Sequence, residues 1–221
     1  DQGRLEEAIS AWQKVIRLAP DHYAARVNLG AVLGEQGRWP EAIAMYQQAN
    51  EIRPSYMAWS NIGTAYARSY RYSDAVEAYH EALELNESDW LAWGNLAYVY
   101  SWMEGRETEA RKTFDKAIEL AEKAKEQNPR DPYVHSDLAL YYAKTGNSEM
   151  AVQHQQTAVV LAPDSGEILA AAAEASETSQ AEVDAAHAAA DVVVDRTYRT
   201  QVQTHSCLES HGCVAKWEGD Q

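Results

Sequence analysis

Cysteine is nearly absent. Two residues in 221 exclude a disulfide scaffold. Phenylalanine is rarer still, with one copy against 7 Trp and 13 Tyr, so the large aromatic positions are almost all filled by rings with a polar tip. Positive charge is also short: 19 Lys and Arg stand against 34 Asp and Glu. The net charge of −15 excludes a nucleic-acid binder, which needs a basic face to neutralise phosphates. No apolar run approaches the roughly 18 residues of a membrane span, and the longest pieces resemble residues 168–173, so no membrane partner is expected. No secretory or transit signal opens the sequence. Its head, Asp-Gln-Gly-Arg-Leu, reads as the middle of a structural unit, which points to an upstream start. The sequence assigns no compartment, and a soluble, cytoplasmic setting is the preferred expectation. The length fits one compact domain or one elongated repeat array.

What is present in abundance is self-similarity. Asn28-Leu29-Gly30, Asn61-Ile62-Gly63, Asn95-Leu96-Ala97 and Asp137-Leu138-Ala139 recur at intervals of 33, 34 and 42 residues. A second series, Ala8, Ala42, Ala75, Ala110 and Ala151, is followed four residues later by Trp12, Tyr46, Tyr79, Phe114 and Gln155. Three residues beyond those stand Val15, Ala49, Ala82, Ala117 and Ala158, and prolines 20, 54, 129 and 163 close the units. Full copies span 23–55, 56–89, 90–131 and 132–165, with a half copy at 3–22 and a degenerate one from 166. Within a unit, apolar residues recur at i, i+3, i+4 and i+7, as in Trp59, Ile62, Gly63 and Tyr66, which is helical spacing. Small residues occupy the positions where two helices must approach closely, and the aromatics fill the gaps between pairs. Gly37 and Gly146 supply turns inside their units. Pro20-Asp21, Pro54-Ser55 and Pro163-Asp164-Ser165 stop one helix and offer an N-cap to the next. No copy buries its own apolar stripe, so stacking is required.

The pattern Trp/Leu-x2-Leu-Gly/Ala-x2-Tyr, then Ala-x3-Tyr/Phe-x2-Ala-x4-Pro, resembles the tetratricopeptide repeat, a helix–turn–helix unit of 34 residues, over about three quarters of the chain. The resemblance implies an all-α fold, a right-handed α-solenoid over residues 1–175, whose first helices line a concave groove for extended peptides or partner helices. Two departures stand out. Tyr70 occupies a turn where neighbouring units have Gly, so that turn is either different or mildly strained. One unit carries extra residues around Ala110 and Ala117, predicting a helix of some 20 residues over Thr108–Gln127, with a polar, solvated extension or docking spur at its end.

Position within each unit places the candidate groove residues. The sixth position gives Asn28, Asn61, Asn95 and Asp137; an amide donates and accepts at once, so stacked Asn side chains can track a peptide backbone. The ninth gives Ala31, Thr64, Tyr98 and Leu140, and the thirteenth Glu35, Arg68, Trp102 and Lys144. Tyr98 and Trp102, one turn apart, make either an aromatic shelf or ordinary inter-repeat packing, and Arg68 and Lys144 can attract a carboxylate. The basic positions by which some relatives of this family clamp a C-terminal carboxylate are Val27, Ser60 and Gly94, so that clamp is not expected. The predicted function is a non-catalytic scaffold for a protein or peptide partner, with no cofactor and no catalytic constellation. Self-association through open solenoid ends is the alternative.

Residues 176–221 read differently. Residues 181–190 are Ala-rich, and from Asp191 the β-branched, alternating Val-Val-Val-Asp-Arg-Thr-Tyr-Arg-Thr is strand language. The stretch Ala-Asp-Val-Val-Val-Asp-x-Thr-Tyr-Arg-Thr-x4-His-x2-Leu-Glu-x-His-Gly-Cys-Val-Ala-x-Trp, within 181–221, resembles a fragment of the large subunit of molybdenum hydroxylases, with Ser210 where those have Pro. The cofactor loops and catalytic glutamate of that family lie outside such a fragment, so molybdenum chemistry is not implied. His205, Cys207, His211 and Cys213 offer four N/S donors of the kind Zn²⁺ takes, in a spacing unlike the common zinc patterns, so a metal-binding tail is a secondary reading.

Overall fold

The computed structural model describes residues 2–172, within a first compact unit, Asp1–Ser179. Among the described residues nine helices follow one another: α1 (Gln2–Leu18), α2 (Tyr23–Glu35), α3 (Trp39–Ile52), α4 (Tyr56–Arg68), α5 (Tyr72–Leu85), α6 (Trp90–Ser101), α7 (Glu107–Gln127), α8 (Pro132–Lys144) and α9 (Ser148–Leu161). A further helical segment opens at 166. There is no strand among these residues, and the strand-like tail and its His205–Cys213 cluster lie outside them. Helices pack with their chain neighbours, α2 on α3, α4 on α5, α6 on α7 and α8 on α9, and each pair stacks on the next. First helices also touch, α2 with α4 and α4 with α6, so one face of the array is built from them.

The small-residue and aromatic series explain this stacking. Ala25, Ala42, Ala49, Ala58, Ala75, Ala82, Ala92, Ala97 and Ala117 are completely buried, which lets backbones approach without a side chain between them. A Cβ on Gly30 would stand 2.7 Å from Tyr46, and one on Gly63 would stand 2.9 Å from Tyr79. In the next unit the same position is Ala97, which packs against Phe114. Tyr79, 1% exposed, donates its hydroxyl to Thr64 Oγ1 at 2.9 Å, since that hydroxyl itself donates to the Ser60 carbonyl. Burial pushes the Tyr79 phenol up to about 12, so it stays a neutral donor.

The helix boundaries differ from expectation at the caps. His22, not Asp21, caps α2, its Nδ1 accepting from Ala25 N at 3.1 Å. Ser55 precedes α4 in extended backbone but makes no side-chain cap bond. Asp89 and Asp131 cap α6 and α8, and Ser165 Oγ accepts from Ile168 N. A side-chain cap needs a free acceptor aimed at the first turn, and a Pro-polar dipeptide does not fix that aim.

Tyr70 adopts the left-handed conformation of the glycine turns: its φ is 59°, against 72° at Gly37 and 83° at Gly146. The turn therefore keeps the shape of its neighbours and is strained in chemistry, because a Cβ there costs about 1–2 kcal/mol. With the ring 81% exposed, little packing opposes its removal. Tyr70→Gly is expected to stabilise the fold by about 0.5–1 kcal/mol, after the greater freedom of Gly in the unfolded chain offsets part of the relief. A urea midpoint at or below that of the parent protein would refute this.

The long helix is present as α7, 21 residues. Its last turns are not merely solvated. Ala121 is fully buried with Val134 and Leu138, while Glu119 pairs with Lys116 at 3.1 Å and Lys123 at 2.5 Å on the outer face. The extension thus packs on α8, and it also closes a polar cluster. Glu122 accepts from Tyr142 Oη at 3.0 Å and pairs with Lys125, while its Oε1 lies 3.4 Å from His154 Nε2. His154 Nδ1 meets His135 Nδ1 at 2.9 Å, and His135 Nε2 donates to the Pro129 carbonyl at 3.0 Å. With both rings neutral, His135 presents a bare Nδ1, so His154 must donate there and leave its own Nε2 bare and buried. Burial, then Lys125, hold His154 below its ordinary value against the pull of Glu122.

Candidate peptide-binding cleft

Asn95, Tyr98, Val99 and Trp102 fall at i, i+3, i+4 and i+7 and therefore form one stripe along α6 and its C-cap residue, Trp102. Thr64, Ala67 and Arg68 form the facing stripe on α4. Between them lies a cleft of about 290 Å³, lined by these residues with Tyr79 beneath and Leu140 of α8 at one side. Val99, Tyr79 and Ala67 are buried and make an apolar floor; Arg68 and Trp102 stand exposed at the rim.

Trp102 is 53% exposed yet held in place. Its ring lies 5.8 Å from Tyr72 and 6.1 Å from Tyr98, and Tyr98 meets Phe114 edge-on at 5.2 Å. The shelf and the inter-repeat packing are thus one set of contacts: the inner edges of the rings pack, and the Trp102 face remains open. Lys144 Nζ sits 5.4 Å from the Tyr98 ring centre, a cation–π contact from α8. Arg68 makes no hydrogen bond or ion pair to another described residue. By contrast, Arg38, Arg71 and Arg106 are each paired with the acid three residues on, Glu41, Asp74 and Glu109.

The structure brings Arg68, Asn95, Tyr98 and Trp102 around this single cleft and leaves the other candidates apart. Asn61 is half-buried on α4 and Asn28 exposed on α2, outside the lining. Lys144 reaches Tyr98 without lining the cleft. Asp137 is engaged inside the array, accepting from Trp90 Nε1 at 3.0 Å. Burial pushes its carboxyl up to about 6, against the Trp90 hydrogen bond and with help from Asp131, Glu167 and Asp89. Position within a unit marked Asp137 as a ladder member, but the ring to which it is tied comes from the preceding unit. Ala67, Val99 and Tyr79 are cleft residues that the position count did not single out. Val99 is one turn beyond Asn95, and its helical spacing is the signal that finds it. No group of His, Cys, Asp and Glu that could hold a metal ion occurs among the described residues.

Stacked helix pairs with glycine- and alanine-lined contacts and a cleft on the first-helix face define a tetratricopeptide-repeat solenoid. The chain belongs to the family of the cilia and flagella-associated protein 70 C-terminal domain, whose family model it matches over residues 1–203. That match runs into the segment that resembles a molybdenum hydroxylase, and the comparisons give the latter resemblance no support. Among solved structures, the chain is similar to the tetratricopeptide-repeat protein TTC0263 of Thermus thermophilus, with a TM-score of 0.61, 18% identity, and coverage of 80% of this chain and 92% of that one. It is also similar to MamA, with a TM-score of 0.50 and 23% identity, covering 72% and 84%. Both likenesses concern the fold. Among curated proteins it is 32% identical to the human protein O-mannosyl-transferase TMTC3 over 49% of this chain, and 25% identical to the bovine BBSome complex member BBS4 over 80%. The chain spans only 12% and 33% of those relatives' lengths.

Proposed function

We propose that this chain is a non-catalytic interaction scaffold that binds an extended peptide or partner helix on the concave face of its first helices. The observation that carries the reading is the α4–α6 cleft, where an open amide, an exposed guanidinium and a half-exposed, pre-packed Trp surround an apolar floor. Sites of this composition bind through a few anchors rather than through total area. At about 290 Å³ the cleft sits at the lower limit of the roughly 300–1,000 Å³ typical of small-molecule sites, which favours one or two side chains of a peptide over a cofactor. BBS4, a relative over most of this chain, is named as a member of a complex, in keeping with a scaffold.

The amides of Asn61 and Asn95 are the proposed backbone-tracking pair. Peptides selected on the full chain from a displayed random library should bind the Asn61→Ala, Asn95→Ala double variant roughly thirtyfold more weakly, at one lost amide contact of about 1 kcal/mol each and unchanged helicity. Unchanged affinity would remove these amides from the binding face.

A further inference from the structure

We propose that the α4–α6 cleft selects an acidic–apolar segment of a partner protein: an aromatic or large aliphatic side chain seated on Trp102, Tyr98 and Val99, with an Asp or Glu beside it paired to Arg68. The inference deepens the peptide-binding reading and rests on it.

Charge is the first argument. In a chain of net charge −15, a cation without an acidic partner is a local departure from the prevailing field. The arginines that head the second helices, Arg38, Arg71 and Arg106, each spend their charge on an acid three residues along. Arg68 ends α4 with no such partner among the described residues, and it lines the cleft. A guanidinium presents a planar fork that matches a carboxylate with two parallel hydrogen bonds, a geometry no neutral side chain reproduces. The cleft is therefore edged by the Arg68 guanidinium while the body of the protein repels acidic chains, so acidic segments are accepted here and discouraged elsewhere.

Shape is the second. The Trp102 ring is fixed between Tyr72 and Tyr98 and still half-exposed, so binding on it immobilises little that is not already immobile. Val99 and Ala67 are buried and Leu140 closes one side, which leaves an apolar seat for a single bulky side chain. Asn95 lies one turn before Val99 on the same stripe, placed to meet the backbone of the residue that carries that side chain.

The test is an unbiased selection. A displayed library of random peptides is panned on the full chain and on the Arg68→Glu variant, and chosen peptides are measured by fluorescence anisotropy at low and moderate salt. The proposal expects Asp or Glu enriched next to an aromatic or aliphatic residue on the parent protein, and Lys or Arg enriched there on Arg68→Glu. Individual acidic peptides should weaken about five- to tenfold with Arg68→Gln, about thirtyfold with Trp102→Ala, and further as salt is raised. Arg68 is exposed, so its variants should keep the parent circular dichroism. Peptides that are neutral or basic, or indifferent to residue 68, overturn this proposal while leaving a peptide-binding groove in place. Peptides that bind equally to Arg68→Gln, Trp102→Ala and the Asn61→Ala, Asn95→Ala variant, or a selection that enriches nothing, overturn both.

Discussion

Gly94→Ala is expected to be among the most damaging single-methyl additions the array can receive, costing about 3 kcal/mol of folding stability. A Cβ at this position would lie 2.1 Å from Tyr141 Oη and 2.3 Å from its Cζ. Tyr141 cannot retreat: it is 3% exposed, 5.9 Å from the Phe114 ring, and buried so thoroughly that its phenol is held well above its ordinary value. The contact joins α6 to α8, first helices of successive units, so the methyl would pry apart the 90–131 and 132–165 copies rather than loosen one of them. Gly34→Ala is the control. Its Cβ would meet only Trp39, at 3.3 Å, and the helix-propensity gain of about 1 kcal/mol should leave it near neutral. Urea unfolding of both variants decides the matter. A Gly94→Ala protein within about 1 kcal/mol of the parent would mean that α6 and α8 do not approach this closely.

The second large effect is on pH dependence. Asp137 rises from 3.8 to about 6 on folding, chiefly through burial. A carboxyl whose folded pKa is raised contributes stability that is complete below its unfolded value, near 3.8, and lost as pH rises through about 6. The size of that loss is about 3 kcal/mol. Asp137→Asn keeps an acceptor for Trp90 Nε1 and abolishes the ionisation. Allowing about 1 kcal/mol for the weaker neutral hydrogen bond, it should stabilise the protein by about 2 kcal/mol at pH 7 and above, and not below pH 4. His154 acts in the opposite sense. Its folded value is lowered, so its contribution is present above 6.5 and lost as pH falls through its folded value. In the parent protein these two slopes oppose each other on the mildly acidic side. Melting temperature against pH should therefore fall more steeply below pH 6.5 in Asp137→Asn than in the parent. Parallel curves would mean that the Asp137 carboxyl ionises as freely in the folded state as in the unfolded one.

The helical fold was legible because its causes are local and repeated. The 33- and 34-residue intervals, the Gly30, Gly63 and Ala97 series and the facing Tyr46, Tyr79 and Phe114 series state which helices touch and how closely. The Tyr70 turn was legible in part: substitution for Gly at a fixed place told of strain or change, and the positive φ decides for strain. The α7 extension read as solvated because Lys and Glu dominate its composition, yet two alanines suffice to bury one face when α8 returns across it.

The sequence alone determined the helix pairs, their order, the stacking class and the residue types on the first-helix face, since each follows from spacing along one chain. Only the tertiary structure decided which of those face residues converge. It gathered Arg68, Asn95, Tyr98 and Trp102 round one cleft, tied Asp137 to Trp90, and buried His135 against His154. The reason is that spacing fixes a side chain's direction on its own helix, whereas its neighbours come from the next repeat. Their distance depends on the crossing of helices whose contact residues, Gly94 against Tyr141 above all, are 47 positions apart in the chain.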